Sequence, residues 1–239
     1  MPFFRAFIPL LAFLSTGCGS YAVPGNAADL SLFADREIRP AYVRKPESPL
    51  PARIATVRVQ APGYRDAYGG GRYSVVTVRE IEQEGDLAKI AAMPEITGIA
   101  PLNRLMIGNP DFKSDVELRR AAATLGADML LIYTFETQFQ VDDGMRPLSV
   151  VTLGLFPTKV ATVTTTAASV LMDVRSGYIY ATGESTVQRK PLANAWTDDD
   201  AVDTSRRENE REAYVKLVGD FERIWPQVVR ERRLTMARP

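Results

Sequence analysis

The stretch SDVELRRAAATLGADMLLIYTFETQF, residues 114–139, restricts the fold more than any other part of this chain. Ser114 and Glu117 stand at capping-box spacing, so a helix is expected to begin there with two of its orphan N–H groups satisfied. Leu118, Ala121, Ala122 and Leu125 follow at i, i+3, i+4 and i+7, the stripe of a helix with one buried face. Gly126 then occupies the position where a left-handed residue ends a helix. The run ADMLLIYTFETQF reads as a strand, continuously apolar at first and alternating toward solvent at its far end. A short amphipathic helix that feeds a buried strand requires layers, with helices packed on a sheet.

The remaining segments fit that frame. ARIATVRVQ, residues 52–60, alternates as a strand with one better-buried face, and SVVTV is a second β-branched run after a Gly- and Tyr-rich loop. REIEQEGDLAKIAAM, residues 79–93, reads as a helix weakened by Gly85 and stopped by Pro94. EITGIAPLNRLMI reads as a short strand and a turn. The link Ser176-Gly177 between alternating runs is a hairpin signal. Asp198 to Asp203 form an acidic loop, and the last helix is expected over about 205–233. Ser205 and Glu208 would cap it, and Tyr214, Leu217, Val218, Phe221, Ile224, Trp225 and Val228 give its apolar stripe, with Pro226 distorting it locally. The expected architecture is α/β or α+β: a single domain over residues 52–235, with a mixed β-sheet packed by two or three helices and a long C-terminal helix.

The amino terminus carries a different signal. Arg5 precedes the apolar run Ala6–Leu14, and Ser15, Thr16 and Gly17 step down in size toward Cys18, the only cysteine. At about 1.5 Å per residue this run is too short to span the ~30 Å of a bilayer core as a permanent helix. Residues 1–17 are therefore expected to be a signal peptide, cut between Gly17 and Cys18. A small residue directly before Cys resembles the bacterial lipobox, with Leu14 one place further out than usual and Ser15 in its slot. An ordinary leader with an incidental or buried thiol is the alternative. Lipidation accounts for a lone Cys in an exported chain, and each acyl CH₂ buried in lipid contributes about 0.8 kcal/mol. Gly19, in place of the Asp that favours inner-membrane retention, permits transfer to the outer membrane, on the periplasmic face of a Gram-negative cell. Residues 18–51 would form a lipid-anchored tether punctuated by Pro24, Pro40, Pro46, Pro49 and Pro51, with the apolar LSLF at 30–33 docking on the domain.

Composition narrows the chemistry. With Arg5 gone, 28 basic residues face 29 acidic ones, which argues against a nucleic-acid partner. The chain has no histidine, so Ser-His-Asp and Cys-His nucleophiles, an imidazole base and His metal ligands are all excluded. No catalytic residue, metal or cofactor is expected. YGGGRY, residues 68–73, lacks the Gly-Lys-Ser/Thr of a phosphate loop and the Gly spacing of a dinucleotide fingerprint. Asp198, Asp199, Asp200 and Asp203 lack calcium-loop spacing and read as negative charge before a helix N-terminus. Asp173 and Glu184, on paired strands, form the one conceivable carboxylate couple, against a reading of both as turn and surface residues. PLSVVTLGLFPTKVATV, residues 147–163, is the least ordinary segment. It reads as core strand, oligomer interface or lipid-touching hairpin, with Val150, Leu153, Leu155 and Phe156 as interface candidates. Arg230, Arg232, Arg233 and Arg238 make a basic end, favourable at a helix C-terminus and able to meet anionic headgroups.

LGADMLLIYTF and SVLMDVRSGYIYATGES resemble a pattern in periplasmic lipoproteins related to the curli-secretion channel component and in the amino-terminal domain of the Tol-Pal translocation protein. RYSVVTVRE, GIAPLNRLMI and the Gly-Ala-Asp strand resemble rhombotarget lipoproteins more closely. The resemblance covers about residues 52–230 and implies an outer-membrane lipoprotein that binds envelope proteins in assembly or secretion, without catalysis. A ring-forming, homo-oligomeric secretion component is the second reading, and a carboxylate-based periplasmic enzyme the third.

Overall fold

The structure, a computed structural model, describes residues 43–61, 74–76, 80–107, 114–142, 160–189 and 199–237. Cys18, the YGGGRY loop and the interface candidates Val150, Leu153, Leu155 and Phe156 lie outside these residues. The elements run β1 (Ala52–Gln60), β2 (Ser74–Val76), α1 (Glu84–Ala91), β3 (Ile96–Pro101), α2 (Asp115–Thr124), β4 (Met129–Asp142), β5 (Val160–Asp173), β6 (Ile179–Arg189) and α3 (Asp199–Met236), with a 3₁₀ turn at Arg104–Met106.

β1 organises the sheet. One edge pairs parallel with β4, from Ile54↔Met129 to Val57↔Ile132. The other edge is shared: β3 runs parallel along residues 52–56, and β2 runs antiparallel along residues 58–60. Beyond β4 the sheet continues as an antiparallel meander, β4-β5-β6, with fourteen residue pairs between β4 and β5. The result is one mixed sheet, six-stranded among the described residues, in a single α+β domain. A parallel return needs a crossover, and the helices α1 and α2 supply the two that lead into β3 and β4.

The strand period of two sends alternate side chains to opposite faces. On one face Ala55, Val57, Val59, Leu130, Ile132, Val170 and Met172 meet Leu118, Ala121 and Ala122 of α2. On the other face Ile54, Leu131, Tyr133, Phe135, Ala167 and Val187 meet Ile90 of α1 and the stripe of α3. Tyr214, Leu217, Val218, Phe221, Trp225 and Val228 are all buried there, and Trp225 Nε1 donates to the carbonyl of Pro94 at 2.7 Å.

Several boundaries depart from the sequence expectation, each for a physical reason. Ser114 is the N-cap of α2, but its hydroxyl lies 2.9 Å from Glu117 Oε2 and makes no bond to the helix backbone. Gly126 has φ 66°, the left-handed turn foreseen for it. α1 is shorter than expected because Arg211 takes the carbonyl of Ile81, and Asp86 accepts from the Gln83 N–H at 3.0 Å, which fixes the start at Glu84. Asp199 to Asp203 form the first turns of α3 instead of a loop, so Ser205 lies inside the helix and caps nothing. Acidic residues in a first turn are favoured by the helix dipole. α3 also continues through Pro226 as one element.

Candidate functional site

Two polar constellations stand out: the first holds the sequence candidate Asp173 without its expected partner Glu184, and the second holds Asp203 of the acidic run. The first gathers around Asp173, at the end of β5. Its side chain is completely buried. Oδ2 accepts from the Ser48 N–H at 2.6 Å, the Glu47 N–H at 2.7 Å, the Ser48 hydroxyl at 2.8 Å and the Tyr180 hydroxyl at 2.6 Å. Oδ1 accepts from the Arg175 N–H at 2.8 Å and the Ser176 N–H at 3.1 Å, closing the turn into β6. Burial pushes the carboxyl up, but these donors outweigh it and hold Asp173 below its ordinary value of 3.8. Tyr180 is pushed up, by burial first and by the facing carboxylate second.

This carboxylate binds the chain just before β1 to the body. Arg232 of α3 donates to the Ser48 carbonyl at 2.6 Å, and Arg44 donates to the Gly177 carbonyl at 3.2 Å. Gly177 has φ 70°, and a Cβ there would lie 3.1 Å from the Arg44 guanidinium and 3.2 Å from that of Arg119. Residues 44–48, placed by sequence reasoning in the tether, are therefore strapped onto the sheet. Arg232 and Arg233, read as part of a basic end, are engaged: Arg233 pairs with Glu95. Glu184 is exposed and pairs with Ala168, five residues along β5 from Asp173 and on the opposite face of the sheet. The two carboxylates do not form a couple.

The second constellation lies under the N-terminal half of α3. Arg58 of β1 reaches Glu210 at 3.1 Å and Glu82 at 3.9 Å, with its guanidinium 4.7 Å from the centre of the Phe135 ring. Arg206 pairs with Glu210 at 2.9 Å and with Asp203 at 2.9 Å. Tyr133 donates to Glu82 Oε1 at 2.9 Å. Its phenol is pushed far up, by burial first and then by the charge of Glu82. Thr137 lies 2.9 Å from Thr165 and 3.3 Å from Glu210 Oε1, and Gln60 bridges to the backbone of Phe135. All of these ionic side chains are at most a tenth exposed. Asp203, read as open acidic charge, is held between Arg206 and Arg207. Among the described residues no group of three metal-ligating side chains occurs.

Sequence reasoning missed this cluster because its members come from β1, the approach to α1, β4 and α3. Arg58 sits in an alternating strand where a charge reads as solvent-facing. Parity gave no signal either: Arg58 shares the face of Ile54 and Thr56, and both faces of β1 are packed, with Ala55, Val57 and Val59 on the other.

The sequence matches no family model. It matches no curated protein. Among solved structures, a Xanthomonas campestris protein assigned to DUF330 is similar at 13% identity and a TM-score of 0.40, over 78% of this chain and 94% of that one. A lipoprotein of Neisseria meningitidis is similar at 15% identity and a TM-score of 0.29, over 71% and 99%. A hypothetical protein of Chlamydia trachomatis is similar at 8% identity and a TM-score of 0.29, over 70% and 96%. All three superpose loosely, and they bear on neither constellation. No described helix is long and apolar enough to cross a membrane.

Proposed function

We propose that this chain is a lipid-anchored, non-catalytic binding module of the Gram-negative envelope, tethered through Cys18 to the periplasmic face of the outer membrane. The observation that carries the reading is the lone Cys18 behind Gly17 and an apolar leader, in a chain without histidine. Two structural facts support it. Two of the described buried carboxylates are committed to partners that hold elements together: Asp173 to the strap, Glu210 to Arg58 and Arg206. The strap also gives the chain running back toward residue 18 a firm seat on the body, as a tethered domain requires. Its partners would be other envelope proteins, met in assembly or secretion.

The test is fractionation combined with crosslinking in cells. The native chain is expected in the outer membrane fraction, crosslinked to specific envelope proteins. Cys18→Ser is expected to appear as an uncleaved or soluble form, and its persistence in the outer membrane would defeat the localisation. The ring-forming reading separates by size in mild detergent, where a single monomer peak removes it. Turnover of a substrate that is lost with Asp173 or Glu184 would instead establish an enzyme.

A further inference from the structure

The end of the sheet that receives the strap also carries exposed apolar side chains. Arg232 ties α3 to the Ser48 carbonyl at 2.6 Å, and the helix runs on past that contact. Every residue from Arg233 to Ala237 is exposed, with Leu234 at 61% and Met236 at 50%. Val43, just ahead of the strap, is 70% exposed, and Ile179, at the start of β6 opposite Met172, is 40% exposed. These four are the majority of the large apolar residues exposed among the described residues. A lone exposed apolar residue is ordinary on a surface. Four at one end of the molecule, two of them on a helix turn that overhangs the body, mark an interaction surface.

The charges at this end fit an anionic partner. Arg233 and Arg175 are paired, with Glu95 and Asp128. Lys45, Arg53 and Arg230 are exposed and make no ion pair among the described residues. The exposed acids beside them are Glu47 and Glu231. Apolar side chains framed by Lys and Arg suit the boundary between lipid headgroups and acyl chains. The tether selects a bilayer over a protein as the occupant. From Val43 the chain leads back to Cys18, and residues 18–42 span at most roughly 85 Å even when fully extended. The surface is thus held near one membrane at high effective concentration, where a weak contact is enough.

We propose that this end of the domain, led by the last turn of α3, docks on the anionic bilayer surface that holds the anchor. Leu234 and Met236 enter the headgroup boundary, and Lys45, Arg53 and Arg230 meet lipid phosphates. The inference rests on the anchored-module reading and adds an orientation to it. The strap end faces the membrane, and the 3₁₀ turn past the end of β3, where Leu105 is 92% exposed, faces away.

The test places the full chain, carrying Met236→Cys or Leu105→Cys, in vesicles of phosphatidylcholine with or without phosphatidylglycerol. Cys18 is the only native cysteine and acylation leaves it no thiol, so the introduced cysteine alone takes an environment-sensitive fluorophore. With phosphatidylglycerol present, the label at position 236 is expected to be quenched from the lipid and shielded from iodide, and raised salt should reverse both. The label at position 105 should stay open to iodide. Combining Lys45→Gln, Arg53→Gln and Arg230→Gln should lower the ratio of docked to undocked protein about fivefold per charge removed. A chain that floats with the vesicles and is acylated by mass, but keeps the label at position 236 in water, overturns the docking and leaves the anchor standing. A label shielded alike in detergent and in both vesicles overturns it too, by giving the surface to another part of the chain. So does docking that neither salt nor the folded triple variant weakens. A chain that floats with neither vesicle, its Cys18 open to the fluorophore, removes the anchor and the docking together.

Discussion

The two faces of the sheet are built on opposite principles. The α2 face is aliphatic: Ala, Val, Leu, Ile and Met pack against the small residues of a ten-residue helix. The α3 face combines aromatic packing, such as Trp225 on Phe221 with ring centres 5.8 Å apart, with an ionic cluster buried beside it. A short helix with two alanines in its contact stripe can sit close to a sheet without polar supports. A 38-residue helix spans more sheet than the apolar residues of these strands can cover, and the surplus length is filled with paired charges. Aliphatic faces set stability through volume, whereas ionic ones depend on every partner being present.

That contrast can be broken experimentally. The largest effect is expected at Glu210→Ala, which strips a close counter-ion from Arg58 and one of the two described for Arg206 and should cost about 3–5 kcal/mol in urea unfolding. Adding Arg58→Met to Glu210→Ala should recover part of that loss, and a strictly additive double variant would show that the two charges are not coupled. On the aliphatic face, Leu118→Ala should cost about 2–4 kcal/mol, as a cavity left by a fully buried side chain does, with no dependence on salt or pH. Asp173→Asn should cost about 2–3 kcal/mol through weakened charge-assisted hydrogen bonds and should expose residues 44–48 to limited proteolysis.

The Asp173 substitution also carries a pH signature. A carboxyl held below its ordinary 3.8 in the folded state adds stability that is full above that value and is lost as pH falls through the folded value. Native protein should therefore lose stability on acidification below about pH 4, and Asp173→Asn should lose less over the same interval. The smallest effect is expected at Arg189→Ala. Its pairs with Glu208 and Glu212 are solvent-exposed, and unfolding should shift by no more than about 0.5 kcal/mol.

The same division decides how much was readable from the chain. The α2 face follows from one period and two stop signals: Leu118, Ala121 and Ala122 are buried as the stripe requires, and Gly126 turns where it should. The apolar stripe of α3 was equally legible, but its start was not. A run of four acids over residues 198–203 reads as a loop by composition, but Asp203 pairs with Arg206 and Arg207 one turn on, inside the helix, and Glu210 ties that part of the helix to Arg58 of β1. The strap escaped notice because Ser48 lies in a proline-rich stretch that local rules assign to solvent. What buries it is Asp173, 125 residues away. The candidates Cys18, Val150, Leu153, Leu155 and Phe156 lie outside the described residues, so the lipid-anchor reading stands on sequence.

Ser48 touches β5 through Asp173, β6 through Tyr180 and the far end of α3 through Arg232. Any pull along the leading chain thus reaches this junction before it reaches β1. Load is divided at once between the last strands and the last helix, so the first strand is spared from being peeled out of the middle of the sheet. Loosening the junction would transfer that load to β1, the strand on which β2, β3 and β4 all depend.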